Sequence, residues 1–162
     1  MTYYTVFVID LASRRVQILG STPHPEALFM QQAVRTLTMA YSGAMPPPYI
    51  LICRKWSDDV RRRLRDAGIR VVLTPARAPN ANAHAERFVR SIKEECLNRL
   101  IPIGEGHFRR AVAEYVEHYH AERNHQGIDN RLVCGPPVMP VTGRVRRRSR
   151  LGGLLNFYAR AA

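Results

Sequence analysis

Two rhythms of apolar residues run along this chain of 162 residues, and they predict its elements. "TVFVID" (5–10) is an almost unbroken apolar run, the pattern of a strand covered on both faces. "RRVQILG" (14–20) alternates, as a hairpin partner does, and "LASR" (11–14) supplies the turn. From "HPEALFMQQAVRTLTMAY" (24–41) the period lengthens to that of a helix. Pro25 suits its first turn, and Leu28, Met30, Ala33, Val34, Leu37 and Ala40 mark a buried side. "SGAMPPP" (42–48) ends it. "YILIC" (49–53) is a short buried strand. "SDDVRRRLRDAG" (57–68) is a short helix with Ser57 as N-cap, acids in the first turn and Gly68 at its end. "IRVVLTP" (69–75) is another strand and "ARAPNANA" (76–83) a polar loop.

Two longer helices follow, over about 83–100 and 107–123, separated by "PIGEG", and "NHQGIDNRL" (124–132) closes the compact part. The order of elements implies an α/β fold, a mixed sheet with helices on its faces. We expect a core domain over residues 1–130. Residues 131–162 form a tail, first Pro/Gly-rich and then basic, with "GRVRRRSR" (143–150) reading as a phosphate-contacting loop.

Composition narrows the partners. The formal net charge is +12, with 46% hydrophobic residues, so the chain has a core and an affinity for polyanions, nucleic acid before anionic membranes. No apolar run approaches the roughly 20 residues that span a bilayer, and no signal peptide opens the chain. Cys53, Cys96 and Cys134 lie far apart, without zinc or disulfide spacing, which fits a reducing compartment and a cytoplasmic location.

Certain residues invite chemistry. Asp10 ends the most apolar strand, where an unpaired buried charge is costly. Glu86 stands in the first turn of the long helix, where complementing the helix dipole is an equally good account. At 100° per residue, Glu86, Arg90 and Lys93 share one face, while Phe88, Val89, Ile92 and Cys96 share another, the core face. The first face could offer an acid to a metal and two bases to phosphates; it could equally be a solvated surface with a Glu86–Arg90 pair. His84 could touch substrate or cap a loop. His118, His120 and His125 do not make a zinc pair by spacing, and structural roles suit them better.

The motifs also come in a telling order. "FVIDLASRRVQILG" (7–20), then "GIRVVLTPARAPNANAHAERFVRSIKEECLNRLI" (68–101), then "RRAVAEYVEHYHAERNHQGI" (109–128) resemble the integrase core of DDE-type insertion-sequence transposases, the retroviral-integrase-like family. The resemblance covers about residues 4–130, and the tail "RRRSRLGGLLNFYARAA" is similar to the ends of such proteins. It implies a ribonuclease H-like fold and DNA integration or transposition. It also implies three carboxylates holding two divalent ions, Mg²⁺ or Mn²⁺, for in-line attack on a phosphodiester. Asp10 matches the first acid and Glu86 the third. The second is expected directly after "YILIC", at Arg54.

Between Arg54 and Glu86 lie 31 residues, 55–85, where the resemblance implies about thirty-five. An arginine at that place would neutralise Asp10 and Glu86 in the space a metal would fill.

Three readings stay open. The chain is a DNA-binding core with impaired catalysis, contacting DNA through Arg90, Lys93, Arg144, Arg146, Arg147 and Arg148. Or it is an active metal-dependent strand transferase or nuclease in which Asp58 or Asp59 replaces the missing ligand, against their simpler role at a helix N-terminus. Or it is a non-catalytic module that forms a homodimer or pairs with a full-length transposase. The resemblance further leads one to expect helix-turn-helix domains upstream. The sequence has none, so site-specific recognition is expected to be lost.

Overall fold

The computed structural model describes residues 2–41, 49–52, 56–75, 79–135 and 142–160. In chain order the elements are β1 (Tyr4–Ile9), β2 (Val16–Thr22), α1 (Ala27–Ala40), β3 (Tyr49–Ile52), α2 (Asp58–Asp66), β4 (Arg70–Leu73), α3 (Ala83–Glu95), α4 (Gly104–Ala121), β5 (Val145–Arg150) and β6 (Leu155–Arg160). The α/β class is as expected. Among the described residues the strands make three two-stranded pairs, β1–β2, β3–β4 and β5–β6. β3 and β4 run parallel, with Tyr49 opposite Arg70 and Ile52 opposite Leu73. The continuous apolar run of β1 is half-buried from Thr5 to Ile9, not covered on both faces.

The chain divides into two compact units. The first comprises residues 1–8 and 18–83, the second residues 9–17 and 84–162. In the first, Val34, Leu37, Val60, Leu64 and Ile69 form the core, with Val8, Leu19, Met30, Trp56 and Val71 packed against it. α1 buries Ala33, Val34 and Leu37 as its periodicity predicts, but Leu28 is 75% exposed and Ala40 is exposed too. The expected apolar side was therefore too long at both ends, where helix termini project beyond the surface they cover. Phe29 instead lies over Gly20: a Cβ there would meet its ring at 2.8 Å, so a larger residue would have to displace the ring. Ser57 caps α2 by accepting from Val60 N–H. Gly68 ends α2 at φ +80°, in the left-handed region that glycine enters without cost.

In the second unit α3 and α4 supply the core. Phe88, Ile92 and Cys96 are buried with Phe108, Ala111, Val112, Tyr115 and Tyr119. Phe88 meets Tyr119 edge-on at 5.2 Å between ring centroids, the favoured arrangement of two quadrupoles. α3 stops at Glu95, short of the expected Leu100, because Cys96 leaves helical geometry and Leu97–Arg99 tighten into a 3-10 turn closed by Arg99 N–H to Cys96 O. α4 begins three residues earlier than its hydrophobic pattern suggests, and His107 Nδ1 accepts the otherwise orphaned Ile103 N–H.

The second unit also corrects the expected loop at 143–150. Val145–Arg150 is a strand, paired antiparallel with Leu155–Arg160.

Candidate nucleic-acid interface

α3 sets the geometry of the first candidate surface. Phe88 and Ile92, four residues apart, point into the core with Ser91 between them. The same period turns Glu86, Arg90 and Lys93 outwards, and all three are exposed. The Glu86–Arg90 ion pair that their spacing permits is not formed among the described residues, so the two bases keep their charge available. His84, at the start of the helix, is held below its ordinary pKa by burial first, then by the charges of Arg14 and Arg87.

A clamp from α4 and the residues just after it holds α3 in place. Arg123 grips the Glu95 carboxylate with Nε and Nη2, at 3.0 and 2.7 Å from Oε1, and Tyr115 donates to Oε2 at 3.0 Å. The Arg123 guanidinium also sits 5.7 Å from the centre of the Tyr119 ring. Burial, then the Glu95 charge, pushes the Tyr115 hydroxyl far above its ordinary pKa, so it stays a donor. Cys96, buried beside this network, rises to about 11, by burial first and then by the Glu114 charge; it is a packing residue, not a thiolate.

Asp10 does not sit where its sequence context suggests. It is exposed, and its Oδ1 organises its own turn, accepting Ala12 N–H at 3.1 Å, Ser13 N–H at 2.6 Å and the Ser13 hydroxyl at 2.7 Å. The Ser13 backbone and hydroxyl bonds, more than the nearby Arg14 charge, hold this carboxyl below its ordinary pKa. The missing partner inferred from burial is thus supplied locally.

His120 ties the same hairpin to α4, its Nε2 accepting Val16 N–H at 2.9 Å. His125 is buried and donates from Nε2 to the Tyr119 carbonyl at 2.6 Å. His118 pairs with Glu122 at 2.9 Å. All three histidines hold structure, as their spacing suggested.

Asp58 and Asp59 lie in the first turn of α2. Asp58 pairs with Arg61 at 3.0 Å, and Asp59 with Arg62 and, at 2.7 Å, with Arg63. The Arg63 hydrogen bond, ahead of its charge, lowers the Asp59 pKa. These acids are engaged by their own helix. Arg54 and Cys53 lie outside the described residues.

The donors among the described residues do not fit a two-metal site. Among the described residues, no three His, Cys, Asp or Glu side chains come together as ligands. Asp10 and Glu86 are two carboxylates where that chemistry needs three.

The second candidate surface is the C-terminal hairpin, and one arginine fastens it to α4. Arg150 reaches the Glu122 carboxylate through Nε at 3.1 Å and Nη2 at 2.9 Å, and Glu117 through Nη1 at 2.8 Å. Glu114 accepts the Leu151 N–H at 3.2 Å. Burial alone would raise the Glu122 pKa; the hydrogen bonds from Arg150 and His118 outweigh it and the net shift is downward. The other basic residues of this segment are placed differently. Arg144, Arg146, Arg147 and Arg148 are all exposed, and no carboxylate among the described residues pairs with them. Sequence reasoning missed the Arg150 anchor and the Glu95–Arg123 clamp, whose partners are 28 or more residues apart.

Comparison with known proteins bears on these surfaces. No curated protein sequence matches the chain. Residues 67–132, from the end of α2 through α3 and α4, match the family model described as "Integrase core domain". Over these residues, which are less than half of its length, the chain is similar to the integrase core family.

Proposed function

We propose that the chain is the DNA-holding core of an integrase- or transposase-type protein, with a ribonuclease H-like fold and impaired strand transfer. The observation that carries this reading is the outward face of α3. It lies inside the matched segment and exposes Glu86, Arg90 and Lys93, and no acid among the described residues pairs with the two bases. Arg90 and Lys93 hold phosphates of a bound duplex, and Arg144, Arg146, Arg147 and Arg148 add backbone contacts without base selectivity.

Impaired catalysis rests on the carboxylates. An arginine occupies the place of the second acid, Asp10 is drawn into its own turn, and the nearest substitutes, Asp58 and Asp59, are neutralised by α2 arginines. The expected metal, Mg²⁺ or Mn²⁺, would supply Lewis-acid activation to a complete site; Asp10 and Glu86 are what this chain offers it.

The test is duplex affinity measured by fluorescence anisotropy across a salt series, alongside a Mn²⁺-dependent plasmid-nicking assay. Arg90→Ala with Lys93→Ala should lower the affinity and make the salt slope shallower by about 2. Nicking should be absent. Robust nicking abolished by Glu86→Gln or by Asp58→Asn would overturn the catalytic half of the proposal. An unchanged salt slope would overturn the binding half.

A further inference from the structure

The register of the C-terminal hairpin separates its arginines into two sets. Leu155, Phe157 and Ala159 are buried or half-buried, whereas Asn156, Tyr158 and Arg160 are exposed. Residues opposite one another across an antiparallel ladder share a face. Arg150, Arg148 and Arg146 therefore lie on the Leu155–Phe157–Ala159 side, and Ser149, Arg147 and Val145 on the other. That outer face carries Arg147 directly opposite Tyr158, with Arg160 two residues along the same strand opposite Val145. Tyr158 is 61% exposed and Val145 54%. The exposed ring flanked by arginines on one sheet face offers a surface on which a base can stack.

We propose that this outer face is a stacking platform for single-stranded DNA: an unpaired base lies on the Tyr158 ring while Arg147 and Arg160 hold the flanking phosphates. The chemistry selects this occupant. Neither Arg147 nor Arg160 has a carboxylate partner among the described residues, although Arg160 Nη1 donates to the Gly143 carbonyl at 3.1 Å; such arginines attract a polyanion, and duplex DNA would satisfy them with phosphates alone. A flat ring presented from a sheet between two cations suits a strand whose bases are free to stack. The Arg150 anchor to Glu117 and Glu122 fixes the platform on α4. The choice of DNA over RNA rests on the integrase reading; the stacking geometry does not.

The experiment is anisotropy on the full chain with a labelled oligothymidylate, a mixed-sequence duplex of equal length, and the matching oligouridylate. Tyr158→Ala should weaken oligothymidylate binding about tenfold and leave duplex binding within about twofold, while Tyr158→Phe keeps the native affinity. Arg90→Ala with Lys93→Ala should do the reverse, weakening duplex binding and sparing the single strand. If Tyr158→Ala leaves single-strand affinity unchanged, or weakens both DNAs equally, the platform is refuted whatever becomes of the α3 surface. Clear preference for oligouridylate would overturn the assignment to DNA. A far-ultraviolet circular dichroism spectrum matching the native protein's guards each variant against misfolding.

Discussion

Arg150 and the other arginines of the hairpin look alike in the sequence but differ in what they do. Arg150 neutralises Glu122, whose side chain is 8% exposed, and removing it would leave that carboxylate buried with only the His118 contact. Arg150→Ala should cost about 3 kcal/mol of stability, and Arg146→Ala less than about 0.5 kcal/mol. Urea denaturation of the two variants checks this, and equal losses would refute the anchor.

Two histidines make stability depend on pH. Burial, ahead of nearby charges, holds both His120 and His125 below the ordinary value of 6.5. The unfolded chain therefore takes up protons first. Stability is full above about pH 6.5 and falls as the pH drops towards the folded-state values. For His120 the geometry acts in the same direction as burial, since a protonated Nε2 cannot accept the Val16 N–H. Denaturation midpoints should drop between pH 7.5 and 5.5, and His120→Gln, which keeps an acceptor, should flatten the drop. A midpoint independent of pH over that range would contradict the assignment.

At the scale of elements, what the sequence reveals depends on the range of the interaction. The two faces of α3 were legible, because a helix repeats every 3.6 residues and the apolar positions Phe88, Ile92 and Cys96 leave Glu86, Arg90 and Lys93 only the outside. The Ser57 cap was legible too, being wholly local. The hairpin was not: arginine at four of the six positions of β5 hides its period of two, and its burial partner is α4 rather than a sequence neighbour. The exposure of Asp10 was not legible for a related reason. An apolar run suggests burial, but the strand is half-buried and its last residue opens into a turn that Asp10 itself stabilises. Phe88 tests the element most simply. It is 2% exposed and meets both Tyr115 and Tyr119. Phe88→Ala should cost about 4 kcal/mol, and a loss under about 1 kcal/mol would mean that α3 is not packed as described.

At the scale of the whole molecule, charge and carboxylate inventory point the same way. A net charge of +12 favours a polyanion, and the exposed bases of α3 and β5 give that excess an address. Among the described residues no helix is long and apolar enough to cross a membrane. Of the two acids that the resemblance matches to integrase-core ligands, Asp10 is engaged by its own turn and Glu86 is exposed on α3. The account's central claim is that a DNA-holding surface persists beside an incomplete metal site.

Calorimetric titration of Mn²⁺ into the native protein, into Glu86→Gln and into Arg54→Asp tests that claim most directly. The account predicts no specific heat from the native chain or from Glu86→Gln, and a binding isotherm once Arg54→Asp restores the third carboxylate. Tight Mn²⁺ binding by the native protein, lost in Glu86→Gln, would contradict it and establish a working metal site.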